Sequence, residues 1–127
     1  MPDSIPFFKP CDQITCHASA AVTGGRFVAL SGLAVEGNPR VAPAGAGVAV
    51  FGVAAQDAAI GEKVLVETAI GAIQDVFAPA ALAAGAVVQS DATGGAIIRG
   101  AGIAAGRVVS DIAAGASGMV QFLPALV

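Results

Sequence analysis

Branched side chains dominate the larger apolar residues of this sequence. Val and Ile together number 25, against eight Leu and Met. Because β-branched side chains lose rotamer freedom in a helix and pack well on a pleated surface, this excess favours strands. Ile14, Cys16 and Ala18 alternate with polar residues, and Val64 and Val66 repeat the spacing, which is the period of a half-buried strand. The sequence therefore predicts an all-β fold.

Glycine, asparagine and proline interrupt the apolar runs at short intervals, for example at residues 23–25, 37–39 and 93–95. Short strands separated by such turns are typical of a small β-barrel or β-sandwich. The predicted strands are residues 14–19, 26–30, 48–53, 63–67, 72–77, 86–90, 96–99, 106–110 and 120–122.

Brief helical turns are the only helix that the pattern predicts. Pro79 is permitted in a first helical turn, and Gly85 can end that turn in the left-handed conformation. Asp57 and Asp111 can each cap a single turn that a glycine closes four residues later. We expect these turns at residues 79–84, 57–61 and 111–115.

The segment EGNPRVAPAGAG, residues 36–47, is rich in glycine and proline and carries Arg40 between two prolines. Such a composition predicts an excursion from the barrel rather than a strand. We expect it to project outward or to contact a neighbouring subunit, and its residues 38–44 should be dispensable for folding.

Small side chains limit what one copy of the chain can bury. Of the 71 apolar residues 30 are Ala, 17 further residues are Gly, and Trp and Tyr are absent. Burial stabilises in proportion to apolar area, so an Ala-rich core contributes less than a Leu or Phe core of equal length. The chain is long enough for one domain, and we expect that domain to self-associate.

Two segments suggest an internal repeat. GVAAQDAAIG at residues 52–61 matches GRVVSDIAAG at residues 106–115, and GRFVAL from Gly25 matches GAVVQS from Gly85 in the same order. The domain, residues 14–127, then consists of two related halves, about 25–68 and 85–123. The alternative is a chance match between Ala- and Gly-rich segments.

Charge and hydropathy exclude several partners. The net charge is −3, and the six basic residues are scattered, whereas nucleic acid requires clustered cations. The longest uncharged stretches have 16 residues, fewer than a membrane helix needs, and the first residues lack the basic and apolar regions of a signal peptide. We predict no direct binding to nucleic acid or membrane.

Catalytic, cofactor and metal sites are not predicted. Residues 100–105 fit the dinucleotide pattern G-x-G-x-x-A, but no long helix follows to bind a pyrophosphate. Cys11, Cys16 and His17 are too few for a structural zinc site, and Cys16 and His17 point to opposite faces of a strand. No nucleophile elbow is present. Without a secretory signal the two cysteines are expected to be thiols, although a short bridge between them is the alternative.

The order of five segments carries a resemblance: FFKPCDQIT, AAVTGGRFVAL, FGVAAQDAAIGEKVLVET, LAAGAVVQSD and AGRVVSDIAAGASGMVQFLP. Over residues 8–124 the chain resembles a family of small phage proteins that decorate or cement capsids. The resemblance implies a β-rich domain that forms trimers on the outer surface of an icosahedral head, binds the major capsid protein and stabilises the shell. The missing signal peptide predicts synthesis in the cytoplasm, which for a phage protein is the cytoplasm of the host. The competing classes are another virion component, such as a tail subunit or a head-surface binding module, and a small enzyme.

The first 13 residues form a predicted N-terminal arm. Three prolines exclude a regular helix there and bias their neighbours toward extended conformations. We expect the arm to engage the shell or an adjacent subunit, although a phenylalanine that plugs the end of its own barrel is the alternative. The candidate contact residues are Ile5, Phe7, Phe8 and Pro10 in the arm, together with Arg40.

Overall fold

A computed structural model describes residues 13–125, and this part of the chain contains ten strands and no helix. The prediction of an all-β fold is confirmed, and nine of the ten strands overlap the predicted ones. The strands are β1 (Gln13–Ala18), β2 (Phe27–Leu30), β3 (Arg40–Pro43), β4 (Gly52–Ala54), β5 (Lys63–Glu67), β6 (Ile73–Ala78), β7 (Val87–Ser90), β8 (Ala96–Ile98), β9 (Gly106–Val108) and β10 (Ala116–Phe122).

The first five strands close a barrel in the order β1-β3-β2-β4-β5. Alternate residues of the antiparallel pair β1 and β5 enter its interior, where Ile14, Cys16 and Ala18 are buried with Val64 and Val66. Strand β3 completes the barrel because it pairs in parallel with β1 and antiparallel with β2. The alternation in the sequence thus marks the inner face.

The last five strands form a sheet in the order β6-β10-β9-β7-β8, and its pairings repeat those of the barrel. Gln13 of β1 pairs with Glu67 of β5, and Ile73 of β6 pairs with Gln121 of β10. Strands β1 and β6 are therefore 60 positions apart (73 − 13), and β5 and β10 are 54 apart (121 − 67). Two isolated bridges obey the same spacings: Val22–Ala58 and Leu82–Ile112.

The second sheet stays open where the barrel closes. In the barrel the Ser19 N–H donates to the Val41 carbonyl at 2.8 Å. The residue 60 positions after Ser19 is Pro79, which has no N–H to donate. Strand β6 pairs instead with the first half, since the Phe77 N–H donates to the Gly25 carbonyl at 2.9 Å.

The expected helical turns are wrong. The aspartates do accept backbone N–H groups, but on facing segments: Asp57 accepts the Gly24 N–H and Asp111 the Ala84 N–H, each at 2.8 Å. A carboxylate engaged across two segments stabilises their pairing and not a local helical turn. Bridges and turns occupy residues 57–61, 79–84 and 111–115.

The expected excursion at residues 36–47 is also wrong, because this segment contains β3. Val41 is fully buried inside the barrel, and Ala44 is fully buried in a separate cluster of side chains that includes Phe27. Pro43 ends the strand and Pro39 precedes it, positions at which a missing N–H interrupts few ladder hydrogen bonds. Residues 38–44 are therefore part of the barrel wall.

Two clusters of buried side chains form the core. One lies inside the barrel, and the other joins Phe27, Val50 and Val53 of the first half to Val76 and Phe122 of the second. The two halves are therefore packed against each other through a shared core. No helix within residues 13–125 is long and apolar enough to cross a membrane.

Candidate interaction surface

Arg40 is the one predicted contact residue that the structure describes. It begins β3, is half-buried, and borders two depressions on the surface of the barrel. The other four predicted contact residues, Ile5, Phe7, Phe8 and Pro10, lie outside the described residues.

An apolar groove crosses the barrel beside Arg40. One part is a depression of about 540 Å³ that includes Ile14 of β1, and the adjoining part, of about 560 Å³, includes Val48. Both parts share Leu30 and Phe51, so they are continuous. Leu30 is 60% exposed, and Leu33 near the groove is 83% exposed. Grouped apolar side chains on a surface are typical of a protein interaction site.

Cys16 is enclosed in the barrel and does not belong to this surface. Its thiol is free, it donates to the Ile14 carbonyl at 3.7 Å, and burial raises its pKa to about 11. A neutral buried thiol acts as a small apolar side chain. His17 points outward and is half-buried, so the predicted opposite faces of the two residues are confirmed.

The contact between the halves is held by Arg26. Its guanidinium lies 4.4 Å from the centre of the Phe77 ring, and Nη1 donates to Thr93 Oγ1 at 3.0 Å. Burial alone would raise the pKa of Asp91, but hydrogen bonds from the N–H groups of Thr93 and Gly95, with Arg26 nearby, lower it. The carboxylate therefore stays charged and holds the turn between β7 and β8.

In the glycine-rich segment, residues 100–105, two backbone N–H groups are already hydrogen-bonded and cannot bind a phosphate. Gln89 Oε1 accepts the N–H groups of Gly100 and Gly102 at 2.9 and 3.0 Å. Within residues 13–125 no three His, Cys, Asp or Glu side chains come together as metal ligands. The described surface is suited to binding through apolar and charged side chains.

Comparison with known proteins identifies the family. A family model described as phage cement protein matches residues 9–123. The chain belongs to the phage cement protein family. As a cement protein it is a structural component of the virion, which confirms the resemblance seen in the sequence. No curated protein sequence matches the chain.

The fold of this cement protein is similar to a solved phage structure. The crystal structure of the head fiber gp8.5 N base in bacteriophage phi29 superposes with a TM-score of 0.73 at 18% identity, over 87% of this chain and 92% of the other. This likeness concerns the fold, a β-barrel followed by a second five-stranded sheet.

The sequence did not reveal the groove. Its residues come from β1, β2, the segment before β4 and the turn that precedes β3, and they meet only because β3 joins β1. Leu30 ends β2 and Phe51 directly precedes β4, positions at which an apolar residue is ordinary. The exposure of Leu30 is visible only in the structure, so the sequence contained no signal for the groove.

Proposed function

We propose that this cement protein binds the outer surface of an assembled icosahedral phage capsid as a trimer and stabilises the capsid. The observation that carries the proposal is the family match over residues 9–123. The partners are the major capsid protein and two further copies of the chain, with no direct contact to nucleic acid or membrane. Synthesis takes place in the host cytoplasm, and the mechanism is binding without a catalytic step.

The surface of the barrel supports this function. Leu30, Leu33 and the apolar groove expose side chains that a partner would remove from water, at about 25 cal/mol per Å². Arg40 borders the groove and adds a charge to its rim. We propose that Ile5, Phe7, Phe8 and Pro10 of the arm contribute to the same contacts, at the shell or at an adjacent subunit.

Stabilisation follows from differential binding. A protein that binds the mature lattice more tightly than free or immature subunits shifts the equilibrium toward that lattice. Many weak sites acting together then oppose the internal pressure of packaged DNA. A stable contact of this kind buries more than about 1,000 Å² in total.

The test uses heads of the source phage assembled without this protein. Purified protein is added, the bound copies are counted, and the temperature at which the heads release DNA is measured. We expect saturable binding, density at three-fold positions in electron micrographs, and a higher release temperature. Immature heads serve as the control and should bind less. Heads that take up no protein would contradict the proposal.

A second candidate is another non-enzymatic virion component, a tail subunit or a head-surface binding module. The fold likeness to the base of a head fiber favours the head-surface module. Micrographs of complete particles separate the possibilities, because a module of this kind would occupy isolated sites and a tail subunit would be absent from the head.

A further inference from the structure

Three basic side chains form a row across neighbouring strands of the barrel. His17 on β1 is the register partner of Lys63 on β5 and of Arg40 on β3. Residues directly opposite each other share one face, and the residues that follow Lys63 and Arg40 are buried inside. Lys63, His17 and Arg40 therefore face outward together, and we call them the basic row.

The basic row lacks partners in the described part of the chain. The side chains of Lys63 and Arg40 form no hydrogen bond or ion pair with a residue between 13 and 125. Nε2 of His17 is buried and has no hydrogen-bond partner there either. The neighbouring carboxylate of Glu62 is engaged in its own turn, where it accepts the Ala59 N–H at 2.7 Å. Lys63 and Arg40 lie on the two strands that flank β1, so two cations share one face without a counter-charge among the described residues, and a partner carboxylate could supply one.

The fold does not require a basic row. The second half pairs Phe77 with Ser117 where the barrel pairs His17 with Lys63. The position that corresponds to Arg40 is Gly95, because β8 pairs with β7 as β3 pairs with β2. The corresponding pairs β6–β10 and β7–β8 thus form without a basic residue at any of the three positions, so the pairing of β1 with β5 and of β2 with β3 does not require the basic row.

The surroundings of the row suit a protein segment. A depression of about 390 Å³ borders His17 and Arg40 and includes Val35 and Ile60, the latter 71% exposed. Three neighbouring strands span roughly 10 Å, a width that accommodates two carboxylates on one face of an extended segment. Basic residues bordered by apolar ones resemble the rim and core of a protein interface more than a nucleic-acid surface, which needs a longer run of cations.

We propose that the basic row binds the carboxylates of an acidic segment on the outer surface of the capsid protein. This inference rests on the proposed function and adds the chemistry of one contact. Exposed charge pairs mainly guide association and fix register, so the contact should depend on salt. Arg40 then joins the charged contact to the apolar groove, which it also borders.

The first test compares two variants of equal charge. Arg40→Gln with Lys63→Gln removes both cations of the row, and Arg99→Gln with Arg107→Gln removes two cations elsewhere. Binding to heads assembled without the protein is measured between 50 and 300 mM salt, after circular dichroism has confirmed folding. We expect about a tenfold loss of affinity and a weaker salt dependence for the first variant only. Equal losses in the two variants, or none in the first, would overturn the inference.

The second test identifies the partner group. A carbodiimide joins an amine directly to a carboxylate, so on saturated heads Lys63 should be linked to an Asp or Glu of the capsid protein. Lys63→Arg keeps the charge without the amine and should bind normally without that link. Links from Lys63 to another copy of this chain, or none on saturated heads, refute the inference while the proposed function stands. Wild-type protein that binds no heads refutes both.

Discussion

Two glycines are fixed by crowding at the same place in each half. A Cβ on Gly52 would lie 2.6 Å from the Glu67 carbonyl oxygen, and a Cβ on Gly106 would meet the Gln121 carbonyl oxygen. Backbone atoms in a sheet cannot move aside as a side-chain tip can. We expect Gly52→Ala and Gly106→Ala each to lower the free energy of unfolding by about 2 kcal/mol, measured by urea denaturation.

Gly100→Ala is the matched control, because the nearest atom, Gln89 Oε1, is 4.0 Å from its Cβ. It should change the unfolding free energy by less than about 0.5 kcal/mol. Similar losses in all three variants would contradict the role of crowding, because Gly100 has room for a Cβ.

Cys16 should resist thiol reagents. Burial raises its pKa to about 11, so the reactive thiolate is scarce at pH 8, and the barrel wall blocks access. In a Cys11→Ser variant, where Cys16 is the only cysteine, iodoacetamide should label the folded protein at least about a hundredfold more slowly than the urea-unfolded protein. Comparable rates would mean that the barrel opens readily.

At the scale of elements, β3 decides whether the barrel closes. Deletion of residues 38–44 removes the strand that pairs with both β1 and β2 and exposes the interior around Val41. We expect the variant to lose its cooperative thermal transition and to be recovered mainly in the insoluble fraction. Replacing residues 36–38 in the preceding turn with Gly-Asn-Gly is the control and should leave the transition in place. A soluble, cooperatively folding deletion variant would show that the barrel tolerates an open seam.

The turn between β7 and β8 should make stability depend on pH. Hydrogen bonds from Thr93 and Gly95 outweigh the effect of burial and lower the pKa of Asp91 in the folded protein. Its contribution is therefore fully present above the unfolded pKa of about 4 and is lost as pH falls below that value through the lower pKa of the folded protein. Asp91→Asn should destabilise the protein at pH 6.5 and much less at pH 3, in thermal unfolding followed by circular dichroism. The same loss at both pH values would exclude a role for the charge.

Local pattern was sufficient for most elements but not for those that depend on pairing. The alternation of buried residues at Ile14 and Cys16 indicates a strand with one inner face whichever strand β1 pairs with, so β1 was predictable. Strand β3 was not predicted, because it has only four residues and prolines at positions 39 and 43 are unusual in a strand. Its extended conformation depends on pairing with β1 and β2, which the local sequence does not show. The basic row was equally hidden, since 46 positions separate His17 from Lys63 (63 − 17) and only the register brings them together.

At the scale of the whole molecule, we propose that residues 14–127 form one domain of two related halves. Four of the five strand pairings of the barrel, together with the Val22–Ala58 bridge, recur in the second sheet at spacings near 54 and 60, and the shared core makes neither half independent. The single parallel pairing, between β1 and β3, has no counterpart because Pro79 cannot donate. The first half, which forms the closed barrel, carries the apolar groove and the basic row. The open half supplies part of the shared core, including Phe122.

The N-terminal arm, predicted at residues 1–13, lies outside the described part of the chain except for Gln13, which begins β1. The strand that follows it in the sequence, β1, contributes Ile14 to the border of the apolar groove. Ten extended residues reach about 33 Å, enough to fold back to the end of the same barrel or to cross to the shell or a neighbour. Burying Phe7 or Phe8 stabilises either arrangement by roughly 1.5–3 kcal/mol.

Removal of residues 1–10 distinguishes these arrangements. If the arm engages the shell or a neighbouring subunit, the truncated protein keeps its unfolding temperature but loses at least about tenfold in affinity for heads, a change of 1.4 kcal/mol or more. If a phenylalanine instead plugs the end of its own barrel, the truncated protein unfolds several degrees lower, because the apolar side chains that the phenylalanine covers return to water. Phe7→Ser with Phe8→Ser tests the same side chains without shortening the chain. A truncated protein that saturates heads at the wild-type concentration would refute a role for the arm in binding, since the free energy of its two phenylalanines is too large to be lost unnoticed.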